Sequence, residues 1–255
     1  MIIGIIPARF ASSRLMGKPL AKIGDKPMIQ HTYESAKKSK LLHEVMIAVD
    51  DQKVYDAISQ FGGNVKMTPA DIKTGSDRIA YVADTFKNAE IIVNIQGDEP
   101  FIPGRMIDQA IEPLLFDKTV DVATLAKKIT TVDELKNPSV VKVVFDYNNN
   151  ALYFSRSPIP YVRSARTNLE KIQQADIYKH IGLYVYRKDA LKKFTSNEPT
   201  DLEMIEKLEQ LRMLENGTGI KVVVTEYNSI SVDTPEDLDL ARKYYYKFIK
   251  PKEGE

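Results

Sequence analysis

Three segments of the 255-residue chain carry the side chains best suited to chemistry. The first is Pro7-Ala8-Arg9-Phe10-Ala11-Ser12-Ser13-Arg14-Leu15-Met16-Gly17-Lys18-Pro19, which sets Arg9, Arg14 and Lys18 close together with small residues among them. Cations beside accessible backbone amides neutralise a polyanion such as a triphosphate. The segment has neither the Gly-Lys-Ser/Thr of a P-loop nor the glycine spacing of a dinucleotide fingerprint. The second is Gln96-Gly97-Asp98-Glu99-Pro100. A carboxylate just after an apolar run is well placed for a hard cation such as Mg²⁺, which is commonly bound by one or two carboxylates plus phosphate oxygens. The third is Ser231-Val232-Asp233-Thr234-Pro235, where Asp233 precedes a helix start. Each has a plainer reading: a solvated basic loop, a turn cap and a helix cap. Taken together they describe a metal–nucleotide site.

The elements that must position these segments read as alternating strands and helices. Residues 2–6, 45–49 and 91–95 are continuous apolar runs, as expected of strands buried on both faces. Asp25 can cap a helix carrying Met28, Ile29, Tyr33 and Ala36 on one face, and Asp51 opens another with Val54, Ile58 and Phe61 inward. Residues 76–86 repeat the helical spacing. This alternation predicts a mostly parallel sheet with helices on both faces, and in such sheets ligands bind beyond the carboxyl ends of the strands. Further on, residues 140–145 and 151–154 read as neighbouring strands joined at Asn148-Asn149-Asn150, and residues 157–174 as an exposed excursion. Strands are expected at 177–186 and 222–225, a helix at 201–215, a helix start at Thr234-Pro235-Glu236-Asp237 and a frayed tail at 250–255.

Composition narrows the functions. Lys plus Arg number 36 and Asp plus Glu 35, a net charge of +1, so no global field draws the chain onto nucleic acid or an anionic membrane. With no Cys and only three His, thiolate catalysis and Cys- or His-rich zinc sites are excluded. No targeting segment or membrane-spanning stretch is expected, and the default location is the cytoplasm.

Seven motifs then occur in order: the cationic loop, Thr74-Gly75-Ser76-Asp77-Arg78, Val93-Asn94-Ile95-Gln96-Gly97-Asp98-Glu99-Pro100, Ala151-Leu152-Tyr153-Phe154-Ser155-Arg156, Lys179-His180-Ile181-Gly182-Leu183-Tyr184, Leu208-Glu209-Gln210-Leu211-Arg212 and Val232-Asp233-Thr234-Pro235-Glu236-Asp237. In register, they closely resemble the 3-deoxy-manno-octulosonate (KDO) cytidylyltransferases from Met1 to about Lys247. The resemblance implies a three-layer, Rossmann-like α/β nucleotidyltransferase domain over residues 1–255, with a dimerisation insertion at about 148–186. It implies transfer of CMP from CTP to the anomeric 2-hydroxyl of KDO, an acidic eight-carbon sugar. The products are CMP-KDO, used for lipopolysaccharide synthesis, and pyrophosphate; the setting is a Mg²⁺-dependent cytoplasmic homodimer. Matching the motifs places Ala8, Arg9, Arg14, Lys18, Gly75, Ser76 and Arg78 at the nucleotide, and Asp98 and Asp233 at the metal. It places Gln96, Arg156, His180, Tyr184, Glu209 and Gln210 at the sugar, with Arg163 a weaker match. Arg9, Lys18, Asp98 and Asp233 are then the catalytic group.

Plainer readings stand beside these: Tyr184 as core or interface packing, His180 as a surface residue and Arg156 as an interface ion pair. Glu209, four residues after Ile205, is expected near the apolar face of its helix, where a carboxylate needs a partner or a ligand. Arg156 and His180 are expected to offer positive or donor character to the sugar. Met16 stands where the family usually has Pro, and Ile72 where many members have His. The 8-amino analogue of KDO therefore stays open as substrate, as does another acidic sugar such as a sialic acid. A glycosyltransferase with the same core and a non-catalytic nucleotide sensor are the rivals from other classes.

Overall fold

The computed structural model describes residues 1–10 and 15–250. Arg14 and most of the expected tail lie outside the described residues. The chain forms two compact units, one from Met1–Asp108 with Asn228–Glu255 and the other from Gln109–Tyr227.

In the first unit, β1 (Ile2–Ala8) is the apolar run at the start of the chain. The chain next forms a short hairpin of β2 (Lys22–Ile23) and β3 (Lys26–Pro27), then α1 (Met28–Ala36). There follow β4 (Glu44–Val49), α2 (Gln52–Gln60), β5 (Val65–Met67), α3 (Gly75–Ala83) and β6 (Ile91–Asn94). β1 runs parallel between β4 and β6, with Ile5 opposite both Met46 and Asn94, and β5 extends the sheet beyond β4. Ile3, Ile5, Ile6, Ile47 and Ile92 expose no surface, as expected of strands covered on both faces. Asp51 caps α2 as expected, its carboxylate accepting from the Lys53 amide. Asp25 does not cap α1. It shares the tight turn between β2 and β3 with Gly24, whose φ of 63° favours glycine, and Pro27 is the residue that precedes the helix. The third helix ends at Ala83, earlier than its spacing suggests.

The chain leaves the first unit along α4 (Gly104–Phe116), a helix that the sequence reading does not place. In the second unit, β7 (Val122–Lys128) and α5 (Val132–Lys136) lead to the paired strands β8 (Lys142–Phe145) and β9 (Ala151–Ser155). The asparagine turn between these strands forms as expected, with the Asp146 carboxylate accepting from the amides of Asn148 and Asn150 and Asn149 at φ 60°. The excursion at 157–174 is largely exposed but holds a short helix, α6 (Asn168–Gln174). Then come β10 (Tyr178–Arg187), α7 (Lys188–Ser196), α8 (Asp201–Glu206), α9 (Gln210–Glu215) and β11 (Ile220–Val224). β7 pairs in parallel with β11 and antiparallel with β10, which also pairs antiparallel with β8. These ladders knit 109–227 into one unit, and the segment at 148–186 lies within it.

The helix expected over 201–215 is broken. Lys207 adopts a left-handed φ of 54°, and the Arg156 guanidinium takes the Glu206 carbonyl at 2.6 Å and the Lys207 carbonyl at 3.1 Å. Those carbonyls thereby gain a partner outside the helix. The chain returns to the first unit for α10 (Pro235–Tyr244), opened as expected by Thr234 and Asp237 in a capping box. It continues as a π-helical turn, Tyr245–Ile249, whose Tyr245 packs with Ile23, Met28 and Val232.

Candidate active site

The carboxyl ends of the first unit's strands carry the charged candidates. Asp98 follows β6 across Gly97, where a Cβ would lie 2.8 Å from the Pro7 carbonyl, so only glycine lets the loop pass this close to the end of β1. The Val232 amide donates to the Asp98 carbonyl at 2.9 Å and so brings the next residue, Asp233, beside that loop. Lys18 stands on a single 3₁₀ turn, Lys18–Leu20, that starts from Gly17 at φ 66°. Its Nζ donates to Asp98 Oδ2 at 2.7 Å and to Asp233 Oδ1 at 2.8 Å, with side-chain exposures of 14% for Lys18, 24% for Asp98 and 37% for Asp233. Two hard oxygens from distant parts of the sequence thus converge on one cation.

This donor set fits Mg²⁺, for which one or two carboxylates suffice when substrate oxygens and water complete the shell. Among the described residues no three His, Asp or Glu side chains gather as a fuller protein cage.

A second charged cluster lies beside β1 and β4. Arg9 reaches the Lys73 carbonyl at 3.0 Å and Asp50 at 3.4 Å, and keeps 44% of its side chain exposed. Arg78 is fully buried; it pairs with Asp50 at 2.9 Å and donates to Thr68 and to the Ile72 carbonyl. Burial lowers the Arg78 pKa, while the Asp50 charge works against that. The guanidinium therefore braces the segment from Thr68 to Ile72 through its two terminal nitrogens, while its buried Nε has no partner among the described residues. Gly75 and Ser76 open α3 behind its Thr74 cap, where backbone amides face anions. Ala8 is buried at the end of β1. Gln96 donates to Asn94 Oδ1 at 3.2 Å.

In the second unit, His180, Tyr184, Tyr186 and Phe194 form a row of rings with centroids 5.3, 5.8 and 6.2 Å apart, and Phe154 meets His180 edge-on at 5.1 Å. His180 is not a surface residue. Desolvation lowers its pKa to about 3, so the ring is neutral and brings no positive charge. Its Nε2 lies 2.9 Å from the Thr124 hydroxyl, which is also 2.8 Å from the Leu183 carbonyl. A threonine has one proton to give; donated to Leu183, it leaves the oxygen to accept from Nε2–H. In that tautomer His180 and Thr124 are hydrogen-bond partners. Burial, with smaller contributions from Tyr186 and Glu209, raises the Tyr184 pKa, and its buried hydroxyl has no partner among the described residues. Burial and then the Glu209 charge raise that of Tyr186. Glu209 therefore lies within electrostatic reach of both phenols, and buried Gln210 follows it at the start of α9. Ile205 is 77% exposed and sits on α8, so the apolar face expected beside Glu209 does not exist. Arg156 is tied to backbone carbonyls of Glu206, Lys207 and, at 3.0 Å, Pro138, rather than in an ion pair. Arg163 is exposed in the excursion.

Sequence reasoning missed three residues. Asp50, which holds Arg9 and Arg78, directly follows β4, and the strand-end rule that finds Asp98 a few residues past β6 would find it too. Glu99 is buried and hydrogen-bonded to Ser229, and its Oε2 has no partner among the described residues; desolvation, helped by Asp98, raises its pKa to about 8. Thr124 carries no local signal, because its role depends on β10 pairing with β7.

A parallel sheet that presents cations and converging carboxylates at its strand ends is the framework of a nucleotidyltransferase. A cytidylyltransferase family profile matches residues 3–223. The 3-deoxy-manno-octulosonate cytidylyltransferase of Pelobacter propionicus is 53% identical over 248 residues, covering 96% of this chain and 97% of that protein. The enzyme of the same name from Geobacter sulfurreducens is 52% identical over 242 residues, covering 93% and 96%. A solved structure of CMP:2-keto-3-deoxy-manno-octonic acid synthetase complexed with CTP superposes with a TM-score of 0.90 at 40% identity, covering 96% of this chain and 98% of that one. The 4-diphosphocytidyl-2C-methyl-D-erythritol synthase of Anaerococcus prevotii, at 16% identity and a TM-score of 0.62 over 96% of each chain, shares the fold. The chain belongs to the cytidylyltransferase family, among the 3-deoxy-manno-octulosonate cytidylyltransferases.

Proposed function

We propose that the chain transfers CMP from CTP to the anomeric 2-hydroxyl of KDO, releasing pyrophosphate and supplying CMP-KDO for lipopolysaccharide synthesis. The observation that carries this reading is the convergence of Lys18, Asp98 and Asp233 at the strand ends of a chain in this family. The sugar hydroxyl attacks the α-phosphorus, a new phosphorus–oxygen bond forms, and the bond to pyrophosphate breaks. The protein acts mainly by positioning the reactants and neutralising charge. Arg9, half exposed beside the start of α3, and Lys18 meet the triphosphate and offset the charge that grows on the leaving pyrophosphate. Asp98 and Asp233 would hold Mg²⁺. Bound there, the ion would shield the α-phosphate and lower the pKa of the attacking hydroxyl. In the second unit, Tyr184, Glu209 and Gln210 are the groups we assign to sugar hydroxyls, with the neutral His180 fixing the ring row from below.

A homodimer and a cytoplasmic location belong to the same proposal. β9 is hydrogen-bonded to β8, and it exposes 62% of Leu152. Such a strand suits a twofold mate. Among the described residues no helix is long and apolar enough to cross a membrane. The deciding experiment follows pyrophosphate release from CTP with KDO, its 8-amino analogue, a sialic acid or no sugar. Release only with KDO, abolished by chelation, is the expected result. Release without sugar would reject the transferase reading, and a more than tenfold preference for the amino sugar would change the substrate.

A further inference from the structure

Lys18 is more than one of three cations in a phosphate loop. Its ammonium nitrogen touches both Asp98 Oδ2 and Asp233 Oδ1. We propose that Lys18 is a resident counter-cation that fills the metal position of the nucleotide-free protein and gives it up only when nucleotide phosphates draw the ammonium away. The inference rests on the metal role proposed for the two carboxylates.

Three observations carry it. One ammonium lies 2.7 Å from Asp98 Oδ2 and 2.8 Å from Asp233 Oδ1, so Lys18, with 14% of its side chain exposed, is seated between two carboxylates that would otherwise repel each other. A lysine head is a compact point charge on four methylenes, so it can swing while its backbone stays fixed. That backbone is fixed: the Leu20 amide donates to the Gly17 carbonyl at 2.8 Å, and Pro19 is buried. A triphosphate is the natural second station for the ammonium, since it offers charge-assisted hydrogen bonds in exchange for those lost. Departure of Lys18 leaves two anionic oxygens facing each other, and a divalent ion then replaces one positive charge by two. The exchange makes nucleotide and metal binding mutually reinforcing, because whatever removes Lys18 favours the metal by the same factor.

The test is a Mn²⁺ titration read by electron paramagnetic resonance on the nucleotide-free protein. Wild type is expected to bind Mn²⁺ weakly. Lys18→Met should bind it at least about tenfold more tightly, the factor by which a site occupied nine-tenths of the time by a competitor loses apparent affinity. Adding Asp98→Asn to Lys18→Met should abolish the gain, which locates the ion. Equal affinity in wild type and Lys18→Met overturns the proposal. So does a tight Mn²⁺ site in wild type that Asp98→Asn removes, a result that needs no Lys18 variant to fold. Loss of the metal reading itself appears elsewhere, as pyrophosphate release that survives chelation.

Discussion

The candidate residues of the first unit are charged and already neutralise one another: Lys18 with Asp98 and Asp233, Arg78 with Asp50. Those of the second unit are mostly neutral, a neutral His180 and two protonated phenols stacked in a row, with Glu209 the charged member. On the proposed function, the difference follows from what each must handle. A triphosphate and a cation bring charge, and a site for them must keep its own charges compensated while they are absent. A sugar brings hydroxyls, which neutral donors and acceptors can read at lower desolvation cost. It also explains why the two regions look so unlike in preparedness. The first is held by ion pairs and the second by packed rings, where the Tyr184 hydroxyl has no partner among the described residues.

Four measurements break or sharpen this contrast. The largest effect is expected from Arg78→Met. Removing the buried partner of Asp50 should cost about 3 kcal/mol of unfolding free energy in urea, the low end for a broken buried pair because Arg9 remains nearby. A loss under 1 kcal/mol would show that this pair is not a brace. Next, Asp98→Asn and Asp233→Asn should each lower turnover by at least about 10²-fold, the scale of losing one electrostatic stabiliser, with the melting temperature little changed. Near-normal turnover in Asp233→Asn would reduce that carboxylate to part of the α10 start. Third is a pH effect at His180. Its folded pKa of about 3 lies below the 6.5 of a free imidazole, so the unfolded chain takes up the proton first as pH falls. The stability it contributes is complete above pH 6.5 and is lost as pH falls toward 3. Between pH 8 and pH 5, His180→Gln should lose less stability than wild type, by up to about 2 kcal/mol at 1.36 kcal/mol per unit. An identical pH dependence would mean that the ring is solvated. The smallest effect is Tyr184→Phe. With no partner among the described residues to lose, it should change stability by less than about 0.5 kcal/mol. If the hydroxyl reads the sugar, kcat/KM for KDO should fall at least about tenfold while the KM for CTP holds. An unchanged kcat/KM would assign Tyr184 to packing alone.

The contrast also decides what the sequence reveals. Asp98 and Asp233 are legible because charge at the end of an apolar run is a local signal, and the caps at Asp51 and Thr234 are legible for the same reason. The row of rings is not, because Tyr184 and Tyr186 in an apolar strand look like ordinary core. The break between α8 and α9 depends on Arg156, which lies 50 residues from Glu206 in the chain, and no window along the sequence contains both. β7 passes unnoticed since it starts apolar and ends in two lysines, and its strand character comes from the partners on either side. Asp25 misleads because a hairpin turn and a helix cap favour the same residue types.

Lys18 and Asp233 meet across 215 residues, with the whole second unit between them in the chain. On a ribosome working at about 5–20 residues per second, the lysine emerges some 10–40 s before its second carboxylate. For that interval the nascent chain can form β1, β4 and β6 and seat Lys18 against Asp98 alone. The paired-carboxylate centre therefore comes into being only when synthesis has passed the last strand–helix junction. A chain interrupted between Asp98 and Asp233 carries only one member of the pair.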